Sequence, residues 1–120
     1  MDHAELGRGV ETLGALAAEG QVLADGVAAD RTRSTYTRVH ARTLAEDAAH
    51  EAEKLADATV ERGADRDRDR AVAVAQRLDD ALGELQTFPG QERTGVEVRR
   101  ALAEIADEVE RLLERIKGAP

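Results

Sequence analysis

The chain has 120 residues, of which 35% are charged and only 2% are aromatic, and its net charge is −8. This acidity argues against general binding to nucleic acids or to anionic membranes, because both need a basic surface on the protein. The chain contains no cysteine, which excludes disulfide bonds and thiol chemistry.

Length and apolar content predict one domain, residues 1–120, with a core of Leu, Val, Ile and Ala. The acidic N-terminus lacks the apolar run of a secretory signal. No apolar stretch approaches the roughly 20 residues that a membrane span requires. We therefore expect a cytoplasmic protein.

The first predicted helix covers residues 3–28. Asp2 and Glu5 have the spacing of a capping box at its start. Five glycines lie inside the helix, and each costs a helix interior about 1 kcal/mol relative to alanine. Gly7 and Gly14 are one heptad apart, which indicates either a face where another backbone approaches closely or ordinary packing in a bundle. The apolar stripe of this helix consists of Leu6, Val10, Leu13, Leu16, Leu23 and Val27.

The second predicted helix covers residues 32–62, and Gly63 is placed to end it as the C′ residue. Its apolar seam consists of Ala41, Leu44, Ala48, Ala52, Leu55 and Thr59. On the opposite side lie Tyr36, His40, Thr43, Asp47, His50 and Lys54, spaced alternately by four and three residues. We name these six residues the polar stripe. It is either an interface for self-association or a solvated face.

The third predicted helix covers residues 66–87 and takes Asp65 as its N-cap. Pro89 and Gly90 then form a turn, because this dipeptide is a strong interruption of regular structure. The apolar face of the third helix consists of Ala71, Val74, Ala75, Leu78, Ala81, Leu82 and Leu85.

The final predicted helix covers residues 95–117 and carries the most regular pattern in the chain. Thr94 and Glu97 have the spacing of a capping box at its start. A heptad seam with a branched apolar residue at every core position consists of Val98, Leu102, Ile105, Val109, Leu112 and Ile116. Alone, such a helix would leave its seam in water, so the other helices must cover it.

Four amphipathic helices joined by short connections predict an all-α fold, an antiparallel up-down-up-down four-helix bundle. Helical hairpins that complete their core by dimerisation are the alternative. Because the core is small, we expect a homo-oligomer, most simply a dimer.

Asp47 and His50 are the best candidates for metal ligands, since i,i+3 spacing on a helix brings a carboxylate and an imidazole to one metal ion. Segment 44–51 resembles the second helix of ferritin-like di-iron bundles, which carry Glu-x-x-His in this way. This resemblance implies a site for iron, or for zinc in its place, to which Glu11 would contribute. Residues 51–120 contain no histidine for a second such motif, which leaves a site shared between chains as the alternative.

These features support three functions. The first is a non-enzymatic helical-bundle interaction or scaffold protein without a cofactor, which associates with itself or with another protein. The second is a ferritin-like or other metal-binding bundle. The third is an acidic adaptor or antitoxin-like protein for a basic partner, which the net charge would attract. No phosphate-binding loop or nucleophile motif is recognisable, so we do not expect an enzyme.

Overall fold

The computed structural model of the protein describes residues 1–118. Within this range the chain forms four α-helices and no strand, which confirms the predicted all-α fold. The helices are α1 (His3–Ala28), α2 (Ser34–Asp57), α3 (Asp65–Thr87) and α4 (Glu92–Lys117).

The four helices form the predicted up-down-up-down bundle, in which consecutive helices are antiparallel. α1 packs most extensively against α4, and α2 packs most extensively against α3. The start of α1 faces the end of α4, since a β-carbon built at Gly7 would lie 3.7 Å from Ile116 Cγ2. α3 and α4 are also antiparallel neighbours, with Arg115 Nη2 at 3.6 Å from Asp67 Oδ1.

The core is aliphatic and continuous through the four helices. The predicted seam of α4 is buried along its whole length, from Val98 to Ile116. Alanine is frequent on the buried faces of the other closely packed pair, α2 and α3, and such small side chains allow a short distance between helix axes. The buried alanines of α2 and α3 are Ala41, Ala45, Ala48, Ala71, Ala75 and Ala81.

Three of the five glycines of α1 make room for large side chains of α4. A β-carbon built at Gly20 would lie 2.8 Å from Leu102 Cδ1, and one at Gly14 would lie 3.1 Å from Val109 Cγ1. Leu102 and Val109 are one heptad apart, as are Gly7 and Gly14. The glycine face of α1 is therefore occupied by α4 of the same chain.

Gly95 marks the closest approach of two backbones in the bundle. A β-carbon at this position would lie 2.4 Å from the Ala28 nitrogen and 2.9 Å from the Ala24 carbonyl oxygen. These atoms belong to the last turns of α1, so neither could be displaced without moving a helix. Only glycine fits at this crossing of α1 and α4.

α2 ends at Asp57, five residues before its predicted end. Ala58 is extended (φ −73°, ψ 136°), and the residues after it run beside the N-terminus of the chain. There the Met1 ammonium donates to the Thr59 carbonyl at 2.6 Å, and the Glu61 N–H donates to the Met1 carbonyl at 3.2 Å. These hydrogen bonds replace the last predicted turn of α2, and Thr59 is exposed instead of continuing the apolar seam.

The residues predicted at helix ends are partly corrected by the structure. Gly63 has the left-handed φ of +91° expected of a C′ residue, but it lies in the connection between α2 and α3. Ala64 is the N-cap of α3, and Asp65 is the first helical residue. The cap of α1 is confirmed, since the Glu5 N–H donates to Asp2 Oδ1 at 2.7 Å.

α4 begins at Glu92, three residues before its predicted start. Thr94 therefore lies inside the first turn, where it is buried and its hydroxyl donates to Gln91 Oε1 at 3.4 Å. The predicted capping box of Thr94 and Glu97 is wrong, and Glu97 instead pairs with Arg93 at 3.1 Å. The next residue, Gly95, lies in the same first turn, where it touches α1.

Gly95→Ala is expected to destabilise the protein by about 1–3 kcal/mol, the usual cost of overpacking, because its β-carbon would collide with the backbone of α1. Gly83→Ala in α3 is the matched control, since a β-carbon there meets nothing within 4 Å. That substitution should stabilise the helix by about 0.5–1 kcal/mol. Urea denaturation measures both changes, and an equal gain from the two variants would contradict the close approach.

Gly63→Ala is also expected to destabilise, because an L-residue at φ +91° is strained by roughly 1–2 kcal/mol. The cause differs from that at Gly95, since a β-carbon at Gly63 meets nothing within 4 Å. A thermal melt of the variant measures the change. If its melting temperature rose, residue 63 would have to be helical and α2 and α3 would be one continuous helix.

Candidate functional site

The predicted polar stripe lies on the outer surface of α2. Tyr36 is 58% exposed, and its ring packs edge-on against the His40 ring with 5.5 Å between the centroids. His40 Nε2 lies 4.0 Å from Glu19 Oε2 of α1. The remaining members of the stripe are exposed: Thr43, Asp47, His50 and Lys54. Most of the stripe is thus accessible to a partner.

The polar stripe borders α1 at one edge, where His40 approaches Glu19. Glu51 is buried, with 6% of its surface exposed, whereas Ala52 of the predicted seam is only partly buried. A β-carbon at Gly9 would lie 3.0 Å from Glu51 Oε1, so the glycine leaves space for this carboxylate beneath α1. One edge of the buried face of α2 therefore lies against α1 at Glu51, and Lys54 lines a depression together with Arg8.

The three predicted metal ligands are not brought together within one chain. Asp47 and His50 lie on α2, whereas Glu11 lies beside α4, with its Oε1 at 4.0 Å from Lys117 Nζ. Among residues 1–118, no group of three or more His, Asp or Glu side chains could hold a metal ion. A site shared between two chains stays a prediction.

A long groove separates α3 and α4 on the outer surface of the bundle. Three depressions follow one another along it, with volumes of 360, 370 and 190 Å³. An ion pair between Arg77 and Glu108 stands between the first and the second. The second and third share Ala81, Glu84 and Ala101. We call this surface the α3/α4 groove.

The charged walls of the α3/α4 groove change sign along its length. Arg70 of α3 and Arg111 and Arg115 of α4 line the first depression, near the start of α3. Carboxylates line the second and third depressions: Asp80, Glu84, Glu97 and Glu104. All seven side chains are exposed. The groove therefore has a basic half and an acidic half.

The floor of the groove is apolar. Ala81 and Ile105 are buried beneath the acidic half, where Ala101 is partly exposed. Leu112 is buried beneath the basic half. The side chains beneath the two rows of exposed charges are thus apolar, and Ala101 is the most accessible of the four.

The charge order of the groove is already present in the sequence. Residues spaced alternately by four and three along α3 are Arg66, Arg70, Ala73, Arg77, Asp80 and Glu84. The corresponding residues along α4 are Glu97, Ala101, Glu104, Glu108, Arg111 and Arg115. Such spacing keeps each set on one side of its helix. Sequence reasoning missed the groove, because hydrophobic periodicity does not show which polar faces of two antiparallel helices lie side by side on the surface.

The sequence matches no protein-family model, no curated protein and no solved structure. No helix within residues 1–118 combines the length and the apolar character needed to cross a membrane. The function must therefore be inferred from the surfaces of this bundle.

Beside the acidic half of the groove, the structure disfavours the ionised form of one carboxyl group of α3, that of Asp79. Burial, together with the neighbouring Asp80 carboxylate, raises the pKa of Asp79 above its ordinary value. The folded state therefore disfavours ionisation of Asp79. The resulting loss of folding stability increases as the pH rises through the pKa of this group.

Asp79→Asn should raise the melting temperature at pH 7, because the amide has no charge to desolvate or to repel Asp80. Since the folded-state pKa is raised, the wild type regains this stability as the pH falls and Asp79 becomes protonated. The difference should disappear below the ordinary Asp pKa of about 3.9. Melts at pH 7 and pH 3 measure it, with the exposed Asp47→Asn as control. A lower melting temperature at pH 7 for the Asp79 variant alone would refute the assignment.

Proposed function

We propose that the protein is a non-enzymatic interaction or scaffold module that associates with itself through the α3/α4 groove. The observation that supports this best is the composition of the groove, in which an apolar floor lies between two exposed charged walls. Stable protein interfaces combine an apolar centre with a polar rim in the same way.

The groups along the groove suit binding better than covalent chemistry. Its described basic residues are arginines, whose guanidinium groups stay protonated at physiological pH and so cannot accept a proton as a general base. The hydroxyl that lines it belongs to Thr94, which is buried and donates to Gln91. What the walls provide is fixed charge and hydrogen-bond donors and acceptors.

The shape of the bundle also favours self-association. The Cα atoms of the described residues extend over 47 × 22 × 15 Å. A body this elongated has more surface than a sphere of the same volume, and a second layer of helices would bury part of that surface. The broad sides of the bundle are where such a layer would add most.

The polar stripe of α2 is the second candidate surface, for self-association or for another protein. Tyr36 and Val39 are 58% and 60% exposed on successive turns of α2. Tyrosine is enriched at protein interfaces, where its ring supplies contact area at a low cost in conformational entropy. A partner on this face would cover both side chains.

Sedimentation velocity over a range of concentrations tests self-association directly. We expect the wild type to convert from one chain to two as its concentration rises. Ala101→Arg places a long side chain on the groove floor and should weaken this association. The double substitution Asp47→Lys with His50→Glu probes the polar stripe in the same experiment and, as a surface change, should alter stability by no more than about 0.5 kcal/mol.

The results separate the two surfaces. Loss of the dimer in Ala101→Arg alone supports the groove, and loss in the α2 double variant alone moves the interface to the polar stripe. Melting curves check that each variant is folded. A wild type that stays a single chain at every concentration would refute self-association.

A further inference from the structure

We infer that the α3/α4 groove is occupied by a second copy of this chain in the reverse orientation, so that the basic half of each groove lies against the acidic half of the other. This inference rests on the proposed function and adds the occupant and its orientation. Two identical chains related by a twofold axis form a self-complementary interface, in which residue i contacts residue j and j contacts i. A surface with oppositely charged halves meets that requirement.

Along α3, charged residues of opposite sign lie at equal distances before and after residue 75. Arg66 and Glu84 lie nine residues before and after this position, and Arg70 and Asp80 lie five residues before and after it. All four side chains are exposed. Two antiparallel α3 helices that cross at this level would place Arg66 near Glu84 of the partner subunit and Arg70 near Asp80 of the partner subunit.

α4 is also divided into a basic half and an acidic half, but along its sequence the carboxylates come before the arginines. Glu97 and Glu104 stand on the acidic half of the groove, and Arg111 and Arg115 stand on the basic half. Glu108, at the boundary, is paired with Arg77 of the same chain. The rotation that brings opposite charges together on α3 therefore does so on α4 as well.

Charge also decides between the two possible orientations of the partner. In a parallel arrangement, arginines would face arginines and carboxylates would face carboxylates, and like charges across an interface are strongly unfavourable. In the reversed arrangement, the arginines of each chain face carboxylates of the other. The pairing also offsets the general repulsion between two chains that each carry a net charge of −8.

A small oxyanion is a less complete explanation of the groove. Arg70, Arg111 and Arg115 around a depression of 360 Å³ would attract a phosphate or a carboxylate. Such a ligand leaves the four exposed carboxylates of the other half without a role. A second copy of the chain engages both halves and also covers the apolar floor around Ala101.

Complementary charge reversal in the full-length protein tests the inference. One variant, Arg70→Glu with Arg111→Glu, makes both halves of the groove acidic. The other, Asp80→Arg with Glu104→Arg, makes both halves basic. We expect each variant alone to dimerise about tenfold or more weakly than the wild type, and an equimolar mixture to regain the dimer as a heterodimer. Sedimentation velocity gives the dissociation constants, and melting curves check the fold.

Two further measurements sharpen the test. Arg8→Glu with Arg38→Glu, on exposed positions of α1 and α2, changes the net charge as much as the acidic variant does and should leave dimerisation unchanged. Raising the salt from 50 mM to 1 M should weaken the wild-type dimer, because exposed ion pairs are screened.

Each outcome supports or overturns the inference. A wild-type dimer that neither groove variant weakens, or two monomeric variants whose mixture stays monomeric, would overturn the reversed charge pairing and leave self-association intact. Equal weakening by the Arg8 and Arg38 control would also overturn it, since net charge alone would then be the cause. A wild type that never dimerises would refute the proposed function itself.

Discussion

The approach of α1 to α4 is the contact on which the rest of the bundle depends. At Gly95 a β-carbon would lie 2.4 Å from the Ala28 nitrogen, and farther along Leu102 fills the space beside Gly20. Five glycines make α1 a poor helix in isolation, because each glycine adds conformational entropy to the unfolded chain. α1 is helical in the bundle because α4 packs into the spaces that Gly7, Gly14 and Gly20 leave, and the two helices then form the layer against which α2 and α3 close the core.

The tight pairing of α1 with α4 and of α2 with α3 gives the protein its thin shape and its open surfaces. Glycine contacts in one pair and alanine contacts in the other bring helix axes together. α3 and α4 meet through larger side chains such as Leu112 and Ile105, so a groove remains between them on the outside. Its sorted charges and apolar floor are the reason that we propose this groove as the surface that binds a partner.

The polar stripe shows how far a single helix can be interpreted without its neighbours. The periodicity of its six residues correctly predicts that they share one side of α2. The predicted seam of α2 differs from its buried face at Ala52, which is only partly buried, whereas the neighbouring Glu51 is buried. The cause is Gly9 on α1, whose missing side chain leaves room for the Glu51 carboxylate. Nothing in the sequence of α2 alone contains that information.

Hydrophobic periodicity alone predicts the number of helices, their order and the seam from Val98 to Ile116, because it reports which residues must leave water. The sequence also contains both charge stripes that line the groove. The end of α2 depends instead on long-range contacts, since hydrogen bonds between Met1 and the backbone of Thr59 and Glu61 replace its last predicted turn. Packing likewise sets which faces of α3 and α4 adjoin, and hence that the arginines of α3 stand beside those of α4. A local pattern fixes the direction of a side chain around its own helix axis, whereas the charge that it faces depends on packing between residues far apart in the chain.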